Sequence, residues 1–205
     1  MSLAKLLQLA SPTLPVGAYS YSGGLEAACE EGAVTDATSA ERWIGDVLEF
    51  SVARMEVPVL YRMMTKPGWN DVFLASRETA ELRAETVQMG YSLNRLFKDL
   101  GLGEVPVEEP SFPAAFAYAA ARWKIEPEAA LQAYLWAWLE NQVMAAVKAV
   151  PLGQTAGQKI LLGLGDRLSE LAGLEIPEEH WTNFTPGLAW LSSRHETQYS
   201  RLFRS

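Results

Sequence analysis

The stretch LPVGAYSYSGGLEAA (residues 14–28) sets three glycines, two tyrosines and two serines just ahead of an apolar run. A glycine-rich turn that opens a helix can cradle phosphate, because free N–H groups and the positive end of the helix dipole face the anion. Spacing tests that chemistry. A P-loop needs G-x-x-x-x-G-K-[ST], and a dinucleotide turn needs G-x-G-x-x-G after a strand. Gly17, Gly23 and Gly24 fit neither pattern, no lysine follows, and no strand-like alternation precedes them. PLGQTAGQK (residues 151–159) fails the same comparison. The stretch then reads as a turn: Pro15 and Gly17 bend the chain, Ser22 caps the next helix, and Gly23–Gly24 permit close backbone approach. Tyr19 and Tyr21 are either core residues or aromatic contacts for a partner.

Hydrolytic and metal chemistry are no better supported. Neither Ser20 nor Ser22 lies in a G-x-S-x-G elbow. HETQY, beginning at His195, puts Tyr199 where a zincin needs its second histidine. Cys29 lies near Glu26, Glu30 and Glu31, and His180 beside Glu178 and Glu179, but one cysteine and two distant histidines give no recognised ligand spacing. Cys29 is expected as a small buried residue and His180 as an exposed loop histidine. No catalytic residue and no tightly bound cofactor is expected.

Two features remain. The segment SRHETQYSRLFRS (residues 193–205) carries three arginines against one glutamate. Tyr199, Leu202 and Phe203, interleaved with those arginines, have the composition enriched at protein–protein hot spots. Fraying is the alternative for such a segment. The second feature is Lys148, a lone charge near the end of the most apolar helix. Its simplest role is to complement the helix C-terminal dipole while its stem covers apolar surface.

These residues are carried by helices. Apolar residues recur at helical spacing throughout, with no useful run of period-two alternation. A short first helix ends at Ser11–Pro12. Thr38 with Glu41 has capping-box spacing and opens a long helix that Pro58 should kink or break. Residues 66–70 (KPGWN) read as a turn, and a second long helix runs to Leu100 with Gly101 beyond it. Ser111 and Pro113 open the next helix. Pro127 opens one of about 23 residues, roughly 34 Å long. That helix is apolar almost all round, so it is either central or covered on one face by a second subunit. Residues 153–173 and those from about Gly187 supply the last helices. The fold class expected is all-α: one domain over residues 1–205, a bundle of roughly seven to nine helices, with the segment from about 193 ordered only with partners.

Composition agrees. The chain has 205 residues, 49% of them hydrophobic, and a formal net charge of -8. That charge leaves no basic surplus for nucleic acid. The longest apolar stretch, residues 129–150, is interrupted by Gln132, Glu140, Asn141, Gln142 and Lys148, which suits no membrane span. A single cysteine and no signal-peptide pattern suit the cytoplasm.

Four stretches carry a resemblance. LLQLASPTLPVGAYSYSGGLEAA (6–28), RAETVQMGYSLNRL (83–96), YLWAWLENQVMAAVKAVPLGQTAGQKIL (134–161) and SRHETQYSRLFRS (193–205) together resemble the urease accessory protein UreF family. The resemblance implies an all-α cytoplasmic protein without catalysis of its own, acting in maturation of the urease nickel centre. It implies a homodimer that binds UreD (UreH in some systems), recruits the GTPase UreG, modulates GTP-dependent nickel insertion into apo-urease, and leaves nickel to the complex. It further implies that Arg194, His195, Glu196, Arg201 and Arg204 belong to a partner-binding element and that Tyr19, Ser22 and Glu26 face a partner. Lys148 becomes a contact to the GTPase, and the helix bearing Tyr134, Trp138 and Asn141 a dimer interface. Two alternatives stand beside it: a small helical enzyme uniting Glu26, Tyr19 and His195, or a homo-oligomeric scaffold for another metalloenzyme.

Overall fold

The computed structural model describes residues 3–66 and 68–205. Met1, Ser2 and Pro67, the last inside the turn expected at 66–70, lie outside the described residues. Among those described there are eleven α-helical segments and no strand. They are α1 (Leu3–Ala10), α2 (Leu25–Glu30), α3 (Ala37–Val47), α4 (Val57–Met63), α5 (Trp69–Ala75), α6 (Ala80–Asp99), α7 (Phe112–Arg122), α8 (Pro127–Ala149), α9 (Gln154–Gly165), α10 (Leu168–Ala172) and α11 (Pro186–His195). The bundle is all-α, as the sequence predicts. The excess over seven to nine helices arises where three expected rods divide; the third is the helix read from after the 66–70 turn to Leu100, which starts early at Trp69 and parts into α5 and α6 at residues 76–79.

The first division lies between α3 and α4, where residues Leu48–Glu56 form a π-helical segment. Pro58 has no N–H, so the Arg54 carbonyl four residues earlier loses its helical donor. The Thr182 N–H takes that carbonyl at 3.3 Å. The rod widens here instead of breaking. The second division is at Asp166–Arg167, which separates α9 from α10. The start of α3 also differs from expectation. Asp36 accepts the Ser39 N–H at 2.8 Å while the Ser39 hydroxyl accepts the Asp36 N–H at 3.0 Å. This reciprocal cap sits two residues before the Thr38–Glu41 pair, and aspartate is the better N-cap.

Helix α8 spans the 23 residues anticipated and occupies the centre. It packs against α1, α2, α3, α4, α7, α9 and α10 and buries Leu131, Leu135, Leu139 and Val143. Trp136, Met144 and Lys148 remain on its exposed side. Helices α6 and α7 pack together, and the approach of α6 to the residues that open α7 depends on one position. A Cβ on Gly90 would lie 2.0 Å from the Pro110 carbonyl oxygen and 2.6 Å from the Ser111 carbonyl carbon. Backbone cannot yield there as a flexible side chain could.

Gly90→Ala is therefore expected to destabilise the chain by about 3 kcal/mol, at the upper end for overpacking. Urea unfolding measures this against Gly153→Ala, where the added methyl meets nothing within 4 Å. Equal midpoints for the two variants would contradict the α6–α7 packing.

Candidate functional site

The opening stretch forms a turn. After Gly17, residues Ala18–Ser20 make one 3-10 turn, Tyr21 extends, and α2 begins at Leu25. Gly24 has φ +82°, and a Cβ there would lie 2.9 Å from Leu188 Cδ1. Glycine lets α11 close onto the turn. Ser22 is fully buried; its hydroxyl accepts the Glu26 N–H at 3.2 Å, the role expected of it. The same hydroxyl donates to the carbonyl of Ser205, which also accepts the Ser22 N–H at 2.9 Å. The opening turn and the C-terminal segment thus meet, and the Arg204 N–H reaches the Ser20 carbonyl at 2.8 Å.

Glu26 organises this meeting. Its Oε1 accepts the Leu202 N–H at 2.6 Å, and its Oε2 accepts the Phe203 N–H at 2.9 Å. Oε2 also lies 3.1 Å from His195 Nε2. The opposite ring nitrogen, Nδ1, lies 2.7 Å from Glu81 Oε2, and Glu81 Oε1 receives Arg201 Nη1 at 2.6 Å. The network therefore leaves the C-terminal segment at Leu202 and Phe203 and returns to it at Arg201, with His195 between two carboxylates. His195 is 0% exposed. Ser205 adds one more tie, its hydroxyl donating to Glu85 at 2.6 Å. Burial pushes the Glu85 carboxyl up to about 7; the Ser205 hydroxyl opposes the shift, and the Glu56 and Glu81 charges add to it.

The anticipated site residues fall into two groups. Ser22, Glu26, His195 and Phe203 are buried within the chain. In this structure they hold the segment and do not face solvent, because each gains its partners from the chain's own backbone or side chains. Tyr19 (74% exposed), Leu202 (58%) and Tyr199, fully exposed, point outward, as do Arg194, Glu196, Arg201 and Arg204. Lys148 is exposed too, and its Nζ lies 4.5 Å from the centre of the Phe203 ring. It contacts the segment as a cation over an aromatic face. Tyr21 is a core residue, which settles the choice left open for the tyrosine pair. Glu26 and His195 come together, but Tyr19 does not join them, and the pair is enclosed.

Tyr134 is corrected as an interface residue: it is 3% exposed and its hydroxyl donates to Glu56. The cause is the depth of α8 in the bundle. Burial and the adjacent Glu56 charge raise its phenol well above the usual value. Glu56 also pairs with buried Arg77 at 3.0 Å. A cavity of about 250 Å³ runs from exposed Tyr19 and Met144 to that pair, lined also by Trp138 and Asn141. Asn141 is half-buried and donates to the Tyr21 carbonyl at 3.2 Å, which fixes the opening turn to α8. Cys29 is half-buried, and burial pushes its thiol up to about 11. His180 is exposed, as expected.

Sequence reasoning missed Glu81 and Glu85. Two carboxylates at i and i+4 repel on an isolated helix. That unfavourable spacing, on a face turned toward other elements, is the signal that a counter-charge must arrive from elsewhere. Among the described residues no three histidine, cysteine or acidic side chains are grouped so as to hold a metal ion. None of the described helices is long and apolar enough to cross a membrane.

Geometry of this kind defines an all-α protein whose best-built polar cluster holds one of its own chain segments, with Tyr199 and Leu202 left facing solvent. Comparisons with known proteins give its family. The UreF family model matches residues 34–165. The urease accessory protein UreF of Azoarcus sp. (strain BH72) is 58% identical, covering 100% of this chain and 96% of that one. That of Dechloromonas aromatica (strain RCB) is 53% identical over 100% of this chain and 98% of its own. The chain belongs to the UreF family of urease accessory proteins, which are not enzymes. The full-length alignments take in the opening turn and the C-terminal segment, both outside the region matched by the family model.

Glu85 generates a prediction. A carboxyl raised in the fold stabilises fully below its ordinary value of 4.5 and loses that contribution as pH rises through about 7. Urea unfolding between those limits should show wild-type stability declining relative to Glu85→Gln. Parallel profiles would contradict the burial of that carboxyl.

Proposed function

We propose that this chain is an adaptor in maturation of the urease nickel centre. In this reading it works as a cytoplasmic homodimer, binds UreD (UreH in some systems) and the GTPase UreG, and modulates GTP-dependent nickel insertion into apo-urease. Nickel is cargo of the complex and is not held by this chain. The observation that carries the reading is the outward face of the anchored segment. Tyr199 and Leu202 are large and exposed beside Arg201 and Arg204, and tyrosine and arginine are residue types that dominate binding energy at interfaces. Tyr19 lines one recess with Arg204, and Lys148 lies over Phe203, the residue next to Arg204, so both adjoin the segment. Family membership supports the partner class. Ser22, Glu26, His195 and Phe203 then act beneath the surface, setting the backbone that presents it. Trp138 and Asn141 stand as the dimer-interface residues of α8, without Tyr134.

The test is co-purification with UreD, UreG and apo-urease, followed by GTP-dependent urease activation. Leu202→Asp changes an exposed side chain, so helical content and melting temperature should stay at the wild-type values while UreD co-purification falls by about tenfold or more. Undiminished capture would overturn the assignment of this face. Lys148→Ala should keep both fold and UreD binding yet alter GTP turnover by UreG; unchanged turnover and activation would leave Lys148 as a cover for Phe203 alone.

A further inference from the structure

His195 has carboxylate oxygens on both ring nitrogens, at 2.7 Å and 3.1 Å. A neutral imidazole carries one N–H and one lone pair. In that form one of the two contacts would set a lone pair against a carboxylate lone pair inside a buried site. With both carboxyls ionised, both contacts are satisfied only when both nitrogens carry protons. We propose that His195 is a proton-controlled latch for residues 201–205: the doubly protonated ring closes the network that docks the segment, and loss of one proton opens it.

The linkage runs through shared acceptors. Glu26 Oε2 serves both the ring and the Phe203 N–H, and Glu81 serves both the ring and Arg201. When the ring turns neutral, one carboxylate loses its donor, and the segment loses the fixed position of an acceptor it needs. The charges around the ring come from every element packed on it. Helix α2 presents Glu26; α6 presents Glu81 and, through Ser205, Glu85; the segment presents Arg201 and also carries Arg204; α11 itself carries Arg194, paired with Glu31, and Glu196 follows it as the C-cap. Loss of a ring proton acts in the same direction as ionisation of Glu85, whose carboxyl burial pushes up to about 7 beside Glu81. Both changes add net negative charge to a site whose remaining cations are the arginines. The inference does not depend on which partner the segment meets.

The sequence offers a convenient internal control, since His195 and exposed His180 are the two histidines of the chain. The experiment uses the full chain and combines ¹⁵N imidazole NMR with amide hydrogen exchange corrected for intrinsic pH dependence. Both His195 nitrogens should be protonated with the segment docked. Protection of the Leu202 and Phe203 amides should fall about tenfold or more as the ring loses a proton, the scale of one charge-assisted hydrogen bond. Protection in α8 should not change. Glu81→Gln provides the second arm. An amide can donate to a bare ring nitrogen and still accept from Arg201, so this variant should keep the segment docked with a singly protonated ring, and the pH step should disappear. A singly protonated His195 with wild-type protection, or the same pH step in Glu81→Gln, would overturn the proposal.

Discussion

The Glu26 carboxylate receives two successive backbone N–H groups, from Leu202 and Phe203, and one nitrogen of His195. A buried carboxylate with three donors is stable; the same group with its donors removed is an uncompensated charge in low dielectric. Much of the surface geometry follows from that constraint. Glu26 sits in α2 because Gly24 and Ser22 turn the chain tightly enough to place it under α11. His195 can reach it because α11 is pinned to the start of α6, where the Ser192 and Thr79 hydroxyls are 2.7 Å apart. The segment then has one path, with Phe203 inward beneath Lys148 and Leu202 outward.

Anchoring of this kind has a consequence for recognition. A free terminal segment loses conformational freedom when it binds, and that loss is subtracted from affinity. Here the backbone at 201–205 is tied by contacts within the chain itself, at Glu26, Glu85 and Ser22. Tyr199 and Leu202 extend from a held frame. A change at the buried network therefore alters how the outer face is displayed without touching that face. It also separates two kinds of substitution: Tyr199 and Leu202 should affect partners alone, while Arg201 and the inner residues should affect the segment's order first.

The helices were largely legible in the sequence. Helix α8 begins at the proline and ends after 23 residues as read, and Ser111 caps α7 by accepting the Ala114 N–H at 3.3 Å. Those signals are local. The π-helical widening was not legible, because it depends on Thr182 reaching Arg54 from a distant loop. The site was legible in part: its residues were named from the opening turn and the final segment, but their roles were divided wrongly. Composition treats Tyr19 and Tyr21, or Leu202 and Phe203, as equivalent neighbours. Which member of each pair turns inward is decided by contacts more than a hundred residues away in sequence. Tyr134 fails as an interface residue for the same reason, since apolar character all round a helix cannot say which faces are already covered.

The central claim is that the Glu26 carboxylate holds the C-terminal segment to the helical body. Tryptic cleavage after Arg201 reports it directly, because the peptide bond must leave its hydrogen-bonded path to enter a protease. Glu26→Ala should raise the cleavage rate at Arg201 by about tenfold or more, the scale set by two lost charge-assisted hydrogen bonds, with helical content unchanged. Cleavage at the wild-type rate in a folded Glu26→Ala chain would contradict the account.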